Sequence, residues 1–188
     1  MDSTLNTFIS LLRGINVGGH KKVLMADLKA LYQSLNFSDV TTYIQSGNVI
    51  FNSDVSDQFK LKSEIEQTIE QQYGFAVPVE LRTGAELEKI RNALPFENID
   101  VKKDGGKAMI IFLSSQPTEE NIAKLSPFVN SSEQLCVGEQ CLYLYCGNGF
   151  GNSKLTNKLL ENKLQVSTTS RNLKTLIKLC DLARANHK

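Results

Sequence analysis

The chain has 188 residues, with 21 Lys or Arg against 20 Asp or Glu, and 41% of its residues are apolar. That balance excludes a disordered tail, and the longest apolar runs, Phe8 to Leu12 and Met109 to Leu113, fall far short of the ~20 residues that span a bilayer. Four cysteines (Cys136, Cys141, Cys146, Cys180) are too few for a disulfide scaffold of this length.

Thr7 to Leu12 is a nearly continuous apolar run that ends at Gly14, the pattern of a buried strand. After the Gly18-Gly19 loop, Leu24, Leu28, Leu31, Tyr32 and Leu35 recur at helical spacing. Val40 to Ile44 and Asn48 to Phe51 read as strands joined at Gln45-Ser46-Gly47. Leu61, Ile65, Ile69 and Tyr73 mark a second helix, with Gly74 as its stop. Val77 to Leu81 is the next strand, and Pro78 points to an edge or a strand start.

This order, β-α-β-β-α-β, is the ferredoxin-like split unit. Thr83 and Glu86 form a capping-box pattern before a helix carrying Leu87, Ile90 and Leu94, and Glu97 to Gly106 reads as a mobile loop. The order then repeats: a strand (Ala108 to Leu113), a helix (Thr118 to Leu125), strands at Glu133 to Val137 and Cys141 to Tyr145, and a helix (Leu155 to Leu164). An extended piece, Val166 to Thr169, precedes a terminal helix faced by Leu173, Leu176, Ile177 and Cys180. The expected fold is α+β: two ferredoxin-like subdomains, residues 1–82 and 107–188, with antiparallel sheets and helices on one face. A helix and loop at 83–106 join them.

If Cys141 to Cys146 is a strand, these two cysteines face opposite sides and cannot share a metal; no metal and no cofactor is expected. The opening Met1-Asp2-Ser3-Thr4 carries no basic n-region or cleavage pattern, so a cytoplasmic location is expected. Charge is uneven. From Ser153 onward, eight Lys or Arg stand against two acids, a net +6 that leaves −5 for the rest. A second basic cluster is Arg13, His20, Lys21 and Lys22. Such asymmetry is a cue for an anionic partner, though charge alone favours two solvated lysine-bearing helices.

Two blocks carry the polar chemistry of the first half. Gly14 and Gly19 are spaced as in a phosphate loop, but His20 and Lys21 occupy the Lys and Ser/Thr places, which excludes a nucleotide triphosphatase loop. What remains is a glycine-lined stretch with cations nearby, or a tight turn needing positive φ at Gly18 or Gly19. In Gln45-Ser46-Gly47-Asn48 the short polar groups suit a ligand, and suit closing a turn through their own backbone.

Arg13-Gly14-Ile15-Asn16-Val17-Gly18-Gly19 and Tyr43 to Phe51, together with Gly149-Phe150-Gly151-Asn152-Ser153-Lys154-Leu155 and Thr169 to Leu176, closely resemble four blocks of the bacterial family DUF1697, a domain of unknown function. The resemblance covers essentially the whole chain. It departs at Leu24, where the family often has proline, and at Leu173, where it usually has tryptophan. It implies two ferredoxin-like subdomains and no activity.

The blocks contain no carboxylate. Arg13, Asn16, Gly18, Gly19, Gln45, Ser46, Asn48, Ser153, Lys154, Arg171 and Asn172 are an inventory of guanidinium, ammonium, amide, hydroxyl and glycine groups for gripping phosphate or carboxylate. The leading expectation is a binding module with an anion site between its two halves, taking a nucleotide, a phosphate or nucleic acid. Against it stands the reading that Arg13 and Arg171 only pin the halves together. Nucleic acid draws on the basic C-terminal segment, with Phe8 and Phe51 as the strand aromatics that are stacking platforms or core. No catalytic residue is assigned. One alternative is an enzyme on a small anionic substrate, with Arg13 and Arg171 as electrostatic stabilisers and Ser46 or His20 reactive. Another is a protein-interaction domain using the sheet edge at Val77 to Leu81.

Overall fold

The computed structural model describes residues 5–186. The opening Met1 to Thr4, on which the location expectation rests, and Lys188 of the basic segment lie outside the described residues. Two units divide the chain: the first runs to Leu87 and takes back Leu179 onward, and the second is Glu88–Lys178.

The first unit is built from β1 (Asn6–Leu12), α1 (Met25–Ser34), β2 (Ser38–Tyr43), β3 (Asn48–Ser53), α2 (Gln58–Tyr73) and β4 (Val79–Thr83), followed by α3 (Gly84–Asn92). Its sheet has the order β2-β3-β1-β4, with every neighbouring pair antiparallel. Alternate residues of β1, among them Phe8 and Leu12, face α1 and α2 and share a core with Leu28, Tyr32, Leu61, Ile65 and Ile69. Ile9, Leu11 and Ile50 point the other way and are equally buried. Burial on both faces is why the β1 sequence runs apolar without alternating. Phe8 and Phe51 lie within this core, their ring centroids 5.7 Å apart, with Phe37 stacked on Phe51 at 4.4 Å. Neither ring is open to a nucleic-acid base.

Local chemistry sets the element ends. Gly74 takes the left-handed conformation that closes α2, and Asp57 caps its start. Thr83 and Glu86 make the reciprocal capping box: the Thr83 N–H donates to the Glu86 carboxylate at 2.7 Å, and the Glu86 N–H to the Thr83 hydroxyl at 3.2 Å. Strand β4 starts two residues later than the sequence pattern indicates. Pro78 has no N–H to give a ladder, and its carbonyl accepts from the Arg13 N–H at 3.0 Å.

The second unit carries α4 (Val101–Asp104), β5 (Ala108–Leu113), α5 (Glu119–Ala123), β6 (Glu133–Gly138), β7 (Cys141–Cys146), α6 (Asn157–Leu164) and β8 (Thr168–Asn172), from which α7 (Leu173–Asn186) leads away. The sheet order, β6-β7-β5-β8, repeats that of the first unit. Met109, Ile111, Leu142, Leu144 and Cys146 face Leu155, Leu160 and Leu164. The duplicated ferredoxin-like order expected from the sequence is therefore present in both sheets. Four details differ. Strand β8 starts two residues later and ends three residues later than the Val166 to Thr169 piece expected from the sequence. The stretch Glu97 to Gly106 includes α4, whose first N–H groups donate to Asp100. Helix α5 stops at Ala123, and a 3-10 turn at Ser126–Phe128 with Pro127 follows. Helix α6 starts at Asn157, capped by Thr156, because Leu155 is spent on the core ahead of it.

Candidate functional site

The loop from β1 to α1 holds most of the polar residues singled out in the first half. It folds back as a small hairpin: the Asn16 N–H donates to the Lys21 carbonyl at 3.1 Å and the His20 N–H to the Val17 carbonyl at 3.0 Å. Gly18 and Gly19, at φ 58° and 79°, form its tip, where two successive positive φ values require glycine. The Asn16 side chain is the clasp. Its amide donates to the carbonyls of Val23 and Gln45, and its oxygen accepts the Val23 N–H, each at 2.9 Å. Lys21 is tied down as well, donating to the Ala76 carbonyl at 2.7 Å beside the Phe75 ring.

The β2–β3 turn packs against this loop. Gly47 has φ 77°, and a Cβ there would lie 2.6 Å from Ile15 Cδ1 and 2.8 Å from Leu12 Cβ. Asn48 is fully buried and spends its amide on the Tyr43 carbonyl at 2.8 Å and the Ser46 hydroxyl at 3.1 Å. Asn16 and Asn48 thus hold local structure, while the Gln45 side chain is exposed.

A depression of about 330 Å³ lies where the loop, the turn and the start of α1 meet, lined by Asn16, Gly19, Lys22, Val23, Leu24 and Gln45. Leu24 occupies the N-cap position of α1 and offers no side-chain oxygen to the first N–H groups. Every other α-helix of the described residues begins on a capping side chain: Asp57, Thr83, Asp100, Thr118, Thr156 and, for α7, Asn172. Leu24 was expected on the buried stripe of α1; it is 67% exposed because it precedes the helix. The sequence carried this signal in a leucine standing where Ser, Thr, Asp or Asn is usual.

In the second unit, Ser153 is buried, accepts the Leu155 N–H at 3.1 Å and reaches the Cys146 thiol. That thiol is pushed up from 9.0 to about 11 by burial and by the negative charge of Glu133. Lys154 is exposed. Asn172 accepts the Thr175 N–H at 2.9 Å, the cap expected of it at a helix start. Arg171 is 8% exposed, its guanidinium donates to the Ser170 carbonyl at 2.9 Å, and burial lowers its pKa to about 10.

Arg171 has a counterpart that the motif reading missed. Arg82 is 5% exposed, donates to the carbonyl of the residue before it at 2.8 Å, and forms an ion pair with Glu80. Arg82 lies opposite Ile9 of β1 and Arg171 opposite Ile110 of β5, the same place in each sheet. Each directly precedes a capping residue, Thr83 or Asn172. Superposing the two repeated element orders on the sequence would have paired them.

Among the described residues no group of three His, Cys, Asp or Glu is placed to hold a metal ion, and the four cysteines are free thiols. No helix of the described residues is long and apolar enough to cross a membrane.

The fold is similar to that of SP0830, a conserved bacterial protein from Streptococcus pneumoniae, with a TM-score of 0.75 and 24% identity over 95% of this chain and 99% of the other. At that identity the likeness speaks to the fold alone. The chain has no significant match among curated proteins. Residues 5–143 match the model of a protein family of unknown function. The protein belongs to that family, DUF1697.

Proposed function

We propose that the protein is a binding module whose first unit takes a small phosphate- or carboxylate-bearing ligand at the start of α1. The observation that supports this reading is the uncapped start of α1 beside a depression that also presents Lys22 and the Gln45 amide. The first N–H groups of a helix need acceptors, and the helix dipole favours a negative one. An anion in the depression would supply what Leu24 lacks, with Lys22 adding charge and Gln45 a donor. The helix start contributes about 1 kcal/mol and a charge-assisted hydrogen bond about 1.5–3 kcal/mol, which puts the dissociation constant of inorganic phosphate alone at about 1–15 mM. A larger ligand would gain from contact with Val23 and Leu24. The second-unit residues Ser153, Lys154, Arg171 and Asn172 are not required by this reading.

The test is phosphate-dependent thermal stabilisation of three proteins at constant ionic strength. Wild type should gain stability saturably. Lys22→Ala should gain less. Leu24→Ser, which supplies the missing cap from within the chain, should fold normally and lose most of the phosphate effect. Equal phosphate stabilisation of wild type and Leu24→Ser would refute the site.

A further inference from the structure

The second unit holds a depression that none of the sequence motifs reaches. It measures about 480 Å³ and is walled by residues 95–99 and Asp104 on one side and by Gln134 and Tyr145 on the other. Gln134 and Tyr145 are direct cross-strand partners in β6 and β7, so both side chains leave the same face of the sheet. Tyr143, two residues before Tyr145, shares that face and donates its hydroxyl to the Ile90 carbonyl at 2.8 Å, fixing the last turn of α3 over the sheet. Phe96 rests against Tyr145 with ring centroids 5.9 Å apart and planes inclined at 57°.

The chemistry of this wall differs from that of the α1 depression. It presents two carboxylates, Glu97 and Asp104, two aromatic rings, and no cationic side chain. Asp104 already draws an ammonium to 3.3 Å, that of Lys107. Glu97 is exposed and joins no ion pair among the described residues. Aromatic faces attract cations, and carboxylates repel anions. Two carboxylates are too few to replace the oxygen shell of a calcium or magnesium ion. The volume falls within the range of small-molecule sites.

We propose that this depression binds a small organic cation, a primary ammonium or a guanidinium. Its charge meets Glu97 and competes with the Lys107 ammonium for Asp104, and its carbon skeleton lies on the Phe96 and Tyr145 rings. The site is independent of the anion reading for the first unit.

Agmatine, which carries both cationic groups on a four-carbon chain, is the probe, and the neutral N-butylurea is its control. In amide NMR titrations of the full chain, agmatine should shift residues 96–99 and Gln134 saturably, and butylurea should not. Glu97→Gln, an exposed change that leaves the sheet intact, should weaken agmatine by about two- to fivefold, the range of an exposed ion pair. Phe96→Leu should weaken it as well. The proposal is overturned if agmatine produces no saturable shift, if butylurea matches it, or if Glu97→Gln binds agmatine as wild type does.

Discussion

Replacing Gly47 by alanine tests whether the β2–β3 turn and the β1–α1 loop are locked together. Gly47 has φ 77°, a left-handed conformation that costs an L-residue about 1–2 kcal/mol. The added Cβ would also stand 2.6 Å from Ile15 Cδ1 and 2.8 Å from Leu12 Cβ, both on fully buried side chains. Overpacking of that kind costs about 1–3 kcal/mol, so the expected loss is about 2–5 kcal/mol. Gly74 is the control. Its φ of 74° is nearly the same, but a Cβ there meets nothing within 4 Å. Gly74→Ala should therefore lose only the backbone part, about 1–2 kcal/mol. Urea denaturation of both variants and wild type measures the difference. If Gly47→Ala is no less stable than Gly74→Ala, the loop is not wedged against the turn, and the geometry assigned to the α1 depression loses its support.

Arg82→Leu should cost about 1.5–3 kcal/mol, because the buried Glu80 carboxylate keeps only the Lys62 ammonium at 3.8 Å, and adding Glu80→Gln should recover part of that loss; equal stability of the single and double variants would contradict the pairing. Thr83→Ala should destabilise by about 1 kcal/mol through loss of the α3 capping box, read as a lower urea midpoint at unchanged slope. Raising the pH should also destabilise the fold. The Cys146 thiol, held up to about 11 by burial and Glu133, and the buried Tyr32 and Tyr143 hydroxyls, whose pKa values burial raises, keep their protons where the unfolded chain has lost them. Their stabilisation is complete below the unfolded values and falls as pH rises from about 9 toward the folded values. Arg171 acts in the opposite sense only above about 10, so melting temperature should decline from about pH 9 to 10, and less steeply in Cys146→Ala. A flat profile over that interval would count against the buried thiol.

Sequence periodicity carried the fold where one face decides burial. Leu61, Ile65 and Ile69 face the core as their spacing requires, and the Thr83–Glu86 box forms as written. It misjudged Leu24, because a helical stripe does not reveal which of its members lies one residue before the first turn. The β4 start was hidden for a different reason: Pro78 is set by a carbonyl accepting from Arg13, sixty-five positions earlier in the chain. Of the site residues, the sequence located the loop and turn that line the α1 depression and offered the turn-closing task that Asn48 performs, but not the task of Asn16, whose partners are backbone groups of Val23 and Gln45. Arg82 escaped because it belongs to no glycine-rich motif. The depression around Phe96 and Tyr145 escaped because its walls come from segments about fifty residues apart, brought together only by packing.

The most direct measurement is an amide NMR titration of wild-type protein with inorganic phosphate, set against chloride at matched ionic strength. The anion reading predicts saturable, phosphate-specific shifts at the Ala26 and Asp27 amides, joined by Gly19 and Gln45. Shifts that never saturate, or that appear equally with chloride, would contradict it.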